Sequence, residues 1–347
     1  MAEVGGLVRA TDCRRIGLSA DRVERMLRHG SLIALAKGIY ADADHVAQLA
    51  PWPRFQLRSR AFVLASPEGA YASDWSAVAL HEMPTALHPP KVPSVIRLGS
   101  RGSGSNRTVH GRTRFASVPD RWLMAVDGVA VLSPALAAVD LARTCDRRMG
   151  LMLADAAATR DRSREGLGQA LLDIAAWPRM GRSRWAVTNA DPDVESPLES
   201  VGRFALLEAG LPPGMSNTWI GDGYPQYRLD HYWPEIRLGA EADGLDKYGL
   251  TDPVEAIRAE KEREWRLQEW GVRVIRYSWT TAFTTPEVLA HHCAVMMRSP
   301  PLPASRTVRT WSRLEGYALR GMTPAVGRWS AAWGRGGSGS DSPSRIR

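Results

Sequence analysis

Two segments decide the fold: Tyr227-Arg228-Leu229-Asp230 and, eleven residues later, Glu241-Ala242-Asp243-Gly244. Each follows a short apolar run, so acidic residues stand at the ends of two candidate strands. Trp233-Pro234-Glu235 between them reads as a hairpin connection, with residues 236–241 as the return strand. Carboxylates placed this way converge if the runs pair as neighbours. A converging Asp/Glu pair is a hard-oxygen site suited to Mg²⁺ or Mn²⁺, which bind through one or two carboxylates plus water and a phosphate. Phosphodiester hydrolysis is therefore the first chemistry to test.

The flanking sequence extends the pattern. Ser196-Pro197-Leu198-Glu199 opens a helix that Gly210 stops, and Gly221-Asp222-Gly223 makes a tight turn before the first strand. Asp252-Pro253 caps a long charged helix reaching Trp270, and Val272-Arg273-Val274-Ile275-Arg276-Tyr277 is a further strand. This order resembles the PD-(D/E)xK nuclease fold, and in particular its very-short-patch-repair-like endonucleases. The matching segments are Glu195-Ser196-Pro197-Leu198-Glu199, Arg228-Leu229-Asp230, Glu241-Ala242-Asp243-Gly244 and Glu260-Lys261-Glu262-Arg263-Glu264. Trp270-Gly271-Val272-Arg273-Val274-Ile275-Arg276 completes the match.

The resemblance implies a restriction-endonuclease-like αβββαβ core over residues 190–295, with Asp230 and Glu241 holding the metal. It adds Asp243 as a third ligand and Glu199 from the opening helix. The family pattern has Lys two residues after the Glu, where this chain has Asp243; Lys247 is the nearest ammonium that could substitute. Each of these residues also has a plainer reading. Ser196 and Glu199 form a capping-box pattern, Asp243-Gly244 is a turn signal, and Lys247 is a surface lysine. Arg276 shares its strand side with Val272 and Val274, which suggests a clamp for phosphate or for a site carboxylate.

Near the N-terminus, residues 11–16 read as a short helix, and Ser19 caps a second from Ala20 to about His29. Val23 and Leu27 form its inner face, with Arg22, Arg25 and Arg28 pointing elsewhere. Residues 32–35 and 38–40 look like the strands of a wing. This is a winged helix-turn-helix pattern over residues 1–45, and the three arginines are either its DNA contacts or a solvated face. Gly17-Leu18-Ser19, Gly30-Ser31-Leu32 and Lys37-Gly38-Ile39-Tyr40 resemble the N-terminal domain of AbiEi-type antitoxins. Leu80-His81, Val109-His110 and Ala138-Val139-Asp140-Leu141-Ala142-Arg143 continue that likeness through an α+β middle region, residues 50–180. His81 and His110 stand alone in sequence and read as structural.

The formal net charge is +8, but residues 301–347 hold eight Arg against two acidic residues, leaving about +2 for the rest. That Pro-, Gly-, Ser- and Arg-rich stretch is expected to be disordered. The three cysteines are scattered and lack metal-ligand spacing, which suits free thiols in a reducing cytoplasm. No run approaches the ~18 apolar residues of a membrane span. The expected protein is thus a cytoplasmic α+β multidomain chain acting on DNA as a Mg²⁺-dependent endonuclease. The alternative is a DNA-binding regulator or antitoxin, with a cognate toxin as partner, that keeps an inactive nuclease fold.

Overall fold

The computed structural model describes residues 6–99, 105–243 and 253–324. It is a mixed α+β protein in two compact units that divide between Leu141 and Ala142.

The first unit begins with β1 (Leu7–Arg9), α1 (Ala10–Arg15), α2 (Ala20–Arg28), β2 (Leu32–Ala36) and β3 (Ile39–Asp42). These strands form an antiparallel sheet in the order β1-β3-β2. The Ser19 hydroxyl accepts from Arg22 N at 3.3 Å and so caps α2 as its position suggested. Val23 is buried, while Arg22, Arg25 and Arg28 are exposed. Next come α3 (Ala43–Gln48), α4 (Pro51–Ala65), β4 (Ala70–Ala72), α5 (Asp74–Leu80), β5 (Ser94–Leu98), β6 (Ser105–Arg107) and β7 (Arg112–Ala116). β8 (Leu123–Val126), β9 (Val129–Leu132) and α6 (Pro134–Ala142) follow. The second sheet has the order β6-β7-β5-β4-β9-β8. His81 is buried and its Nε2 bonds the Leu132 carbonyl at 2.7 Å, which fits a structural histidine.

The second unit contributes α7 (Arg147–Asp161), α8 (Glu165–Asp173), α9 (Met180–Asn189) and α10 (Pro197–Glu208). A five-stranded sheet follows, built from β10 (Met215–Gly221), β11 (Tyr227–Trp233), β12 (Leu238–Ala242), β13 (Arg273–Tyr277) and β14 (Arg309–Trp311). Its order is β13-β12-β11-β10-β14. The pair β12–β13 is parallel, and α11 (Pro253–Glu269) makes the crossover that a parallel connection needs. α12 (Pro286–Arg298) and α13 (Arg313–Leu319) complete the unit. The element order from α10 to β13 is αβββαβ.

One face of this sheet packs Ile220, Leu229, Tyr232 and Val272 on Leu267 and Trp270 of α11 and its end. α10 is buried along almost its whole length, and a buried network pins it to α7. There Asp155 accepts from Ser200 Oγ (2.7 Å), Asp191 N (2.8 Å) and Arg203 Nη1 (2.9 Å). The C-terminal stretch departs from the disorder expected of it. β14 pairs with β10, and α13 docks through a buried ion pair between Arg313 Nε and Glu195 Oε1 at 2.5 Å. Residues 325–347 lie outside the described residues.

Candidate functional site

Glu199 enters the site from the first turn of α10. Ser196 is the N-cap, Pro197 takes N1, where its missing N–H costs nothing, and Glu199 N donates to Ser196 Oγ at 3.3 Å. The carboxylate accepts from Ser196 Oγ (2.6 Å), Glu195 N (2.9 Å) and Asn217 Nδ2 (2.6 Å). The capping interaction is therefore real, but it does not account for the electrostatics. Burial, followed by the negative charge of Asp230, pushes the Glu199 carboxyl up to about 8. The buried Glu199 carboxyl of α10 thus feels the charge of Asp230, a part-buried residue of β11.

Asp230 lies on β11 and accepts from Ala242 N at 2.8 Å through Oδ2. The β11–β12 ladder runs from Trp233↔Leu238 to His231↔Ala240, and the side chain of Asp230, next along β11, bonds the β12 backbone. His231 is fully buried. Its Nε2 bonds the Tyr277 hydroxyl at 2.7 Å while its Nδ1 has no partner. Burial, then the nearby Arg203, drops the His231 pKa to about 3, so the ring is neutral. Burial also drives Tyr277 well above its ordinary value, and Asp230 and Glu199 add to the shift. Gly202 makes room for this ring: a Cβ there would come within 2.4 Å of the Tyr277 oxygen.

Arg228 and Arg203 both place positive charge near Glu199. Burial disfavours the Arg228 guanidinium, but Glu195, Tyr317, Asp230 and Glu199 more than offset that and raise its pKa. Its Nη1 donates to Glu195 Oε2 at 2.9 Å and to the Tyr317 hydroxyl.

Glu241 belongs to a different network. It is buried on β12, and both carboxylate oxygens are held by the guanidinium of Arg263 from α11. Arg276, its partner in the β12–β13 register, sits 3.8 Å from Oε2 and also pairs with Glu260 and Glu264. Arg276 is thus a carboxylate clamp. The structure brings Glu199 and Asp230 together and turns Glu241 toward α11. Asp243 is exposed, its backbone N–H donating to the Tyr277 carbonyl at 2.8 Å. Lys247 lies outside the described residues. Among the described residues, no three His, Cys, Asp or Glu side chains form a ligand group.

Asn217 and Arg313 were not singled out by sequence, and the pairing of Arg228 and Arg313 with Glu195 and of Arg263 with Glu241 was not foreseen. Asn217 carries no local signal, and Arg263 stands in the sequence only as one residue of the segment 260–264, with no role of its own. Their partners are 18 to 118 residues distant, which no local pattern encodes.

No protein-family model matches the chain. The uncharacterized protein Rv2248 of Mycobacterium tuberculosis is 26% identical over 266 residues, covering 74% of this chain and 89% of that protein. Its counterpart from a second strain of the same organism, uncharacterized protein MT2308, matches with the same identity and coverage. Among solved structures, the RV2827C protein of Mycobacterium tuberculosis aligns at 14% identity and a TM-score of 0.32, covering 55% of this chain and 79% of that one. That likeness is too loose to bear on function.

Proposed function

We propose that the chain is a DNA-acting protein whose second unit holds a hard divalent cation, Mg²⁺ or Mn²⁺, at Asp230 and Glu199 and hydrolyses phosphodiester bonds there. The observation that carries this reading is the buried Glu199 carboxyl, bonded by Asn217, the residue across the β10–β11 ladder from Asp230. Burial first, and the charge of Asp230 second, push the Glu199 carboxyl up to about 8, a cost that a bound cation would relieve. The unpartnered Oδ1 of buried Asn217, whose Nδ2 bonds Glu199, fits a site with room for one more partner. Glu241 does not fit as a ligand while Arg263 neutralises it through both oxygens.

A bound divalent cation would supply charge stabilisation at a phosphate and acidify a bound water. The chain's own residues do the rest. Arg228 offsets the negative charge around Asp230 and Glu199, and Tyr277 and His231 hold each other through a hydrogen bond. Exposed Arg22, Arg25 and Arg28 on α2 would carry the first unit's contacts to DNA phosphates.

Plasmid nicking in Mg²⁺ or Mn²⁺ tests the hydrolytic part. Wild-type protein should nick and Asp230→Ala should not; equal nicking by both would reject the assignment. A second reading, a DNA-binding regulator or antitoxin with a silent nuclease-like unit and a toxin partner, is favoured by the engagement of Glu241 with Arg263 and by Asp243 in place of lysine. Under it, DNA binding persists while nicking is absent from every variant.

A further inference from the structure

Asn217 has a conformation and an unmet valence that its role in the sheet does not explain. On β10, Ser216 pairs with His231 and Thr218 with Leu229, so Asn217 stands across the ladder from Asp230. Its φ is +47°, in the left-handed region that only Gly, Asn and Asp enter readily. The side chain is completely buried. Nδ2 donates to Glu199 Oε2 at 2.6 Å and to the Asp193 carbonyl at 2.8 Å. Those two acceptors fix the amide orientation, because a flipped amide would put oxygen against the Asp193 carbonyl. Oδ1 is left without a partner in a buried position, where an unmet acceptor costs about 1–3 kcal/mol.

From this geometry we infer that Asn217 Oδ1 is a third oxygen donor of the cation site, completing with Asp230 and Glu199 a set drawn from β10, β11 and α10. The inference rests on the cation reading above and adds a ligand to the two that reading names. An amide oxygen is an ordinary ligand for hard cations. The left-handed backbone at Asn217 coincides with a side chain engaged with Glu199 from a position opposite Asp230. A ligand set of two carboxylates and one amide leaves positions for water and a phosphate oxygen.

The test uses the full chain and Tb³⁺ or Mn²⁺ as the probe, with calorimetry for affinity and Tb³⁺ luminescence lifetimes in H₂O and D₂O for the number of bound waters. Asn217→Gly preserves the left-handed backbone and removes the oxygen. It should weaken binding by ~10-fold or more and add one bound water, with circular dichroism unchanged. Asn217→Asp restores an oxygen at the same place and should recover the affinity even if it melts earlier. Wild-type binding with unchanged affinity and water number in Asn217→Gly overturns the Asn217 assignment alone. Failure of the wild type to bind either ion overturns the cation reading and this inference together.

Discussion

At the scale of the residue, Glu199 shows how far sequence and structure agree and where they part. The capping box was legible from Ser196, Pro197 and Glu199 because it is local. The charge of Asp230 beside Glu199 was not, because it depends on how α10 meets β11. The shift has a consequence for stability. A carboxyl whose folded pKa is raised contributes stability that is fully present below its unfolded pKa, near 4.5, and is lost as pH rises through the folded value of about 8. Asp155 behaves the same way at lower pH, since burial pushes it up to about 6 despite Arg203. Urea midpoints without divalent ions should therefore fall from pH 5 to pH 9. Glu199→Gln should remove the upper part of that fall, and a persistent step near pH 8 in this variant would assign the titration elsewhere. Gly202 gives a second residue-scale expectation. Gly202→Ala gains about 1 kcal/mol of helix propensity but drives a Cβ into the buried Tyr277 hydroxyl, and overpacking of this kind costs about 1–3 kcal/mol. Equilibrium unfolding should show net destabilisation; a stabilised variant would mean that the Tyr277–His231 pair has room to move.

Among the elements, those set by periodicity and caps were readable: α10, β11, β12, α11 and β13 all fall within a few residues of where the pattern put them. β14 and α13 were not, because their sequence has the composition of a disordered tail and their anchors are remote. Arg313 is buried against Glu195, 118 residues earlier and itself buried. The Tyr317 ring sits edge-on to Trp219 at 5.5 Å, and Gly316 lets the Trp219 indole approach the α13 backbone. The segment is thus a structural part of the second unit, docked one turn before the Glu199–Asp230 pair. Arg313→Met leaves Glu195 charged and buried with only Arg228 as its partner, and breaking such a pair costs about 3–5 kcal/mol. Thermal and urea unfolding should show that loss. A change within measurement error would make α13 a loosely attached appendage.

For the whole molecule, charge distribution matters more than total charge. The +8 of the chain is concentrated toward its C-terminus, so under the proposed function DNA affinity should depend on local clusters rather than on net charge. Arg22, Arg25 and Arg28 are exposed together on α2; Arg28 makes only a 3.9 Å surface pair with Glu24, of little energetic weight. If all three meet phosphates, replacing them with Ala should flatten the slope of log K against log salt by about 2.7. An unchanged slope, followed by fluorescence anisotropy, would move the DNA contact to another surface.

The claim on which the functional reading depends is that Asp230 and Glu199 form a cation site. Mn²⁺ calorimetry on the full chain tests it most directly. The wild type should bind Mn²⁺ with a stoichiometry near one, and Asp230→Ala should lose that binding while remaining folded. Undiminished Mn²⁺ binding by Asp230→Ala, or none by the wild type, would contradict it.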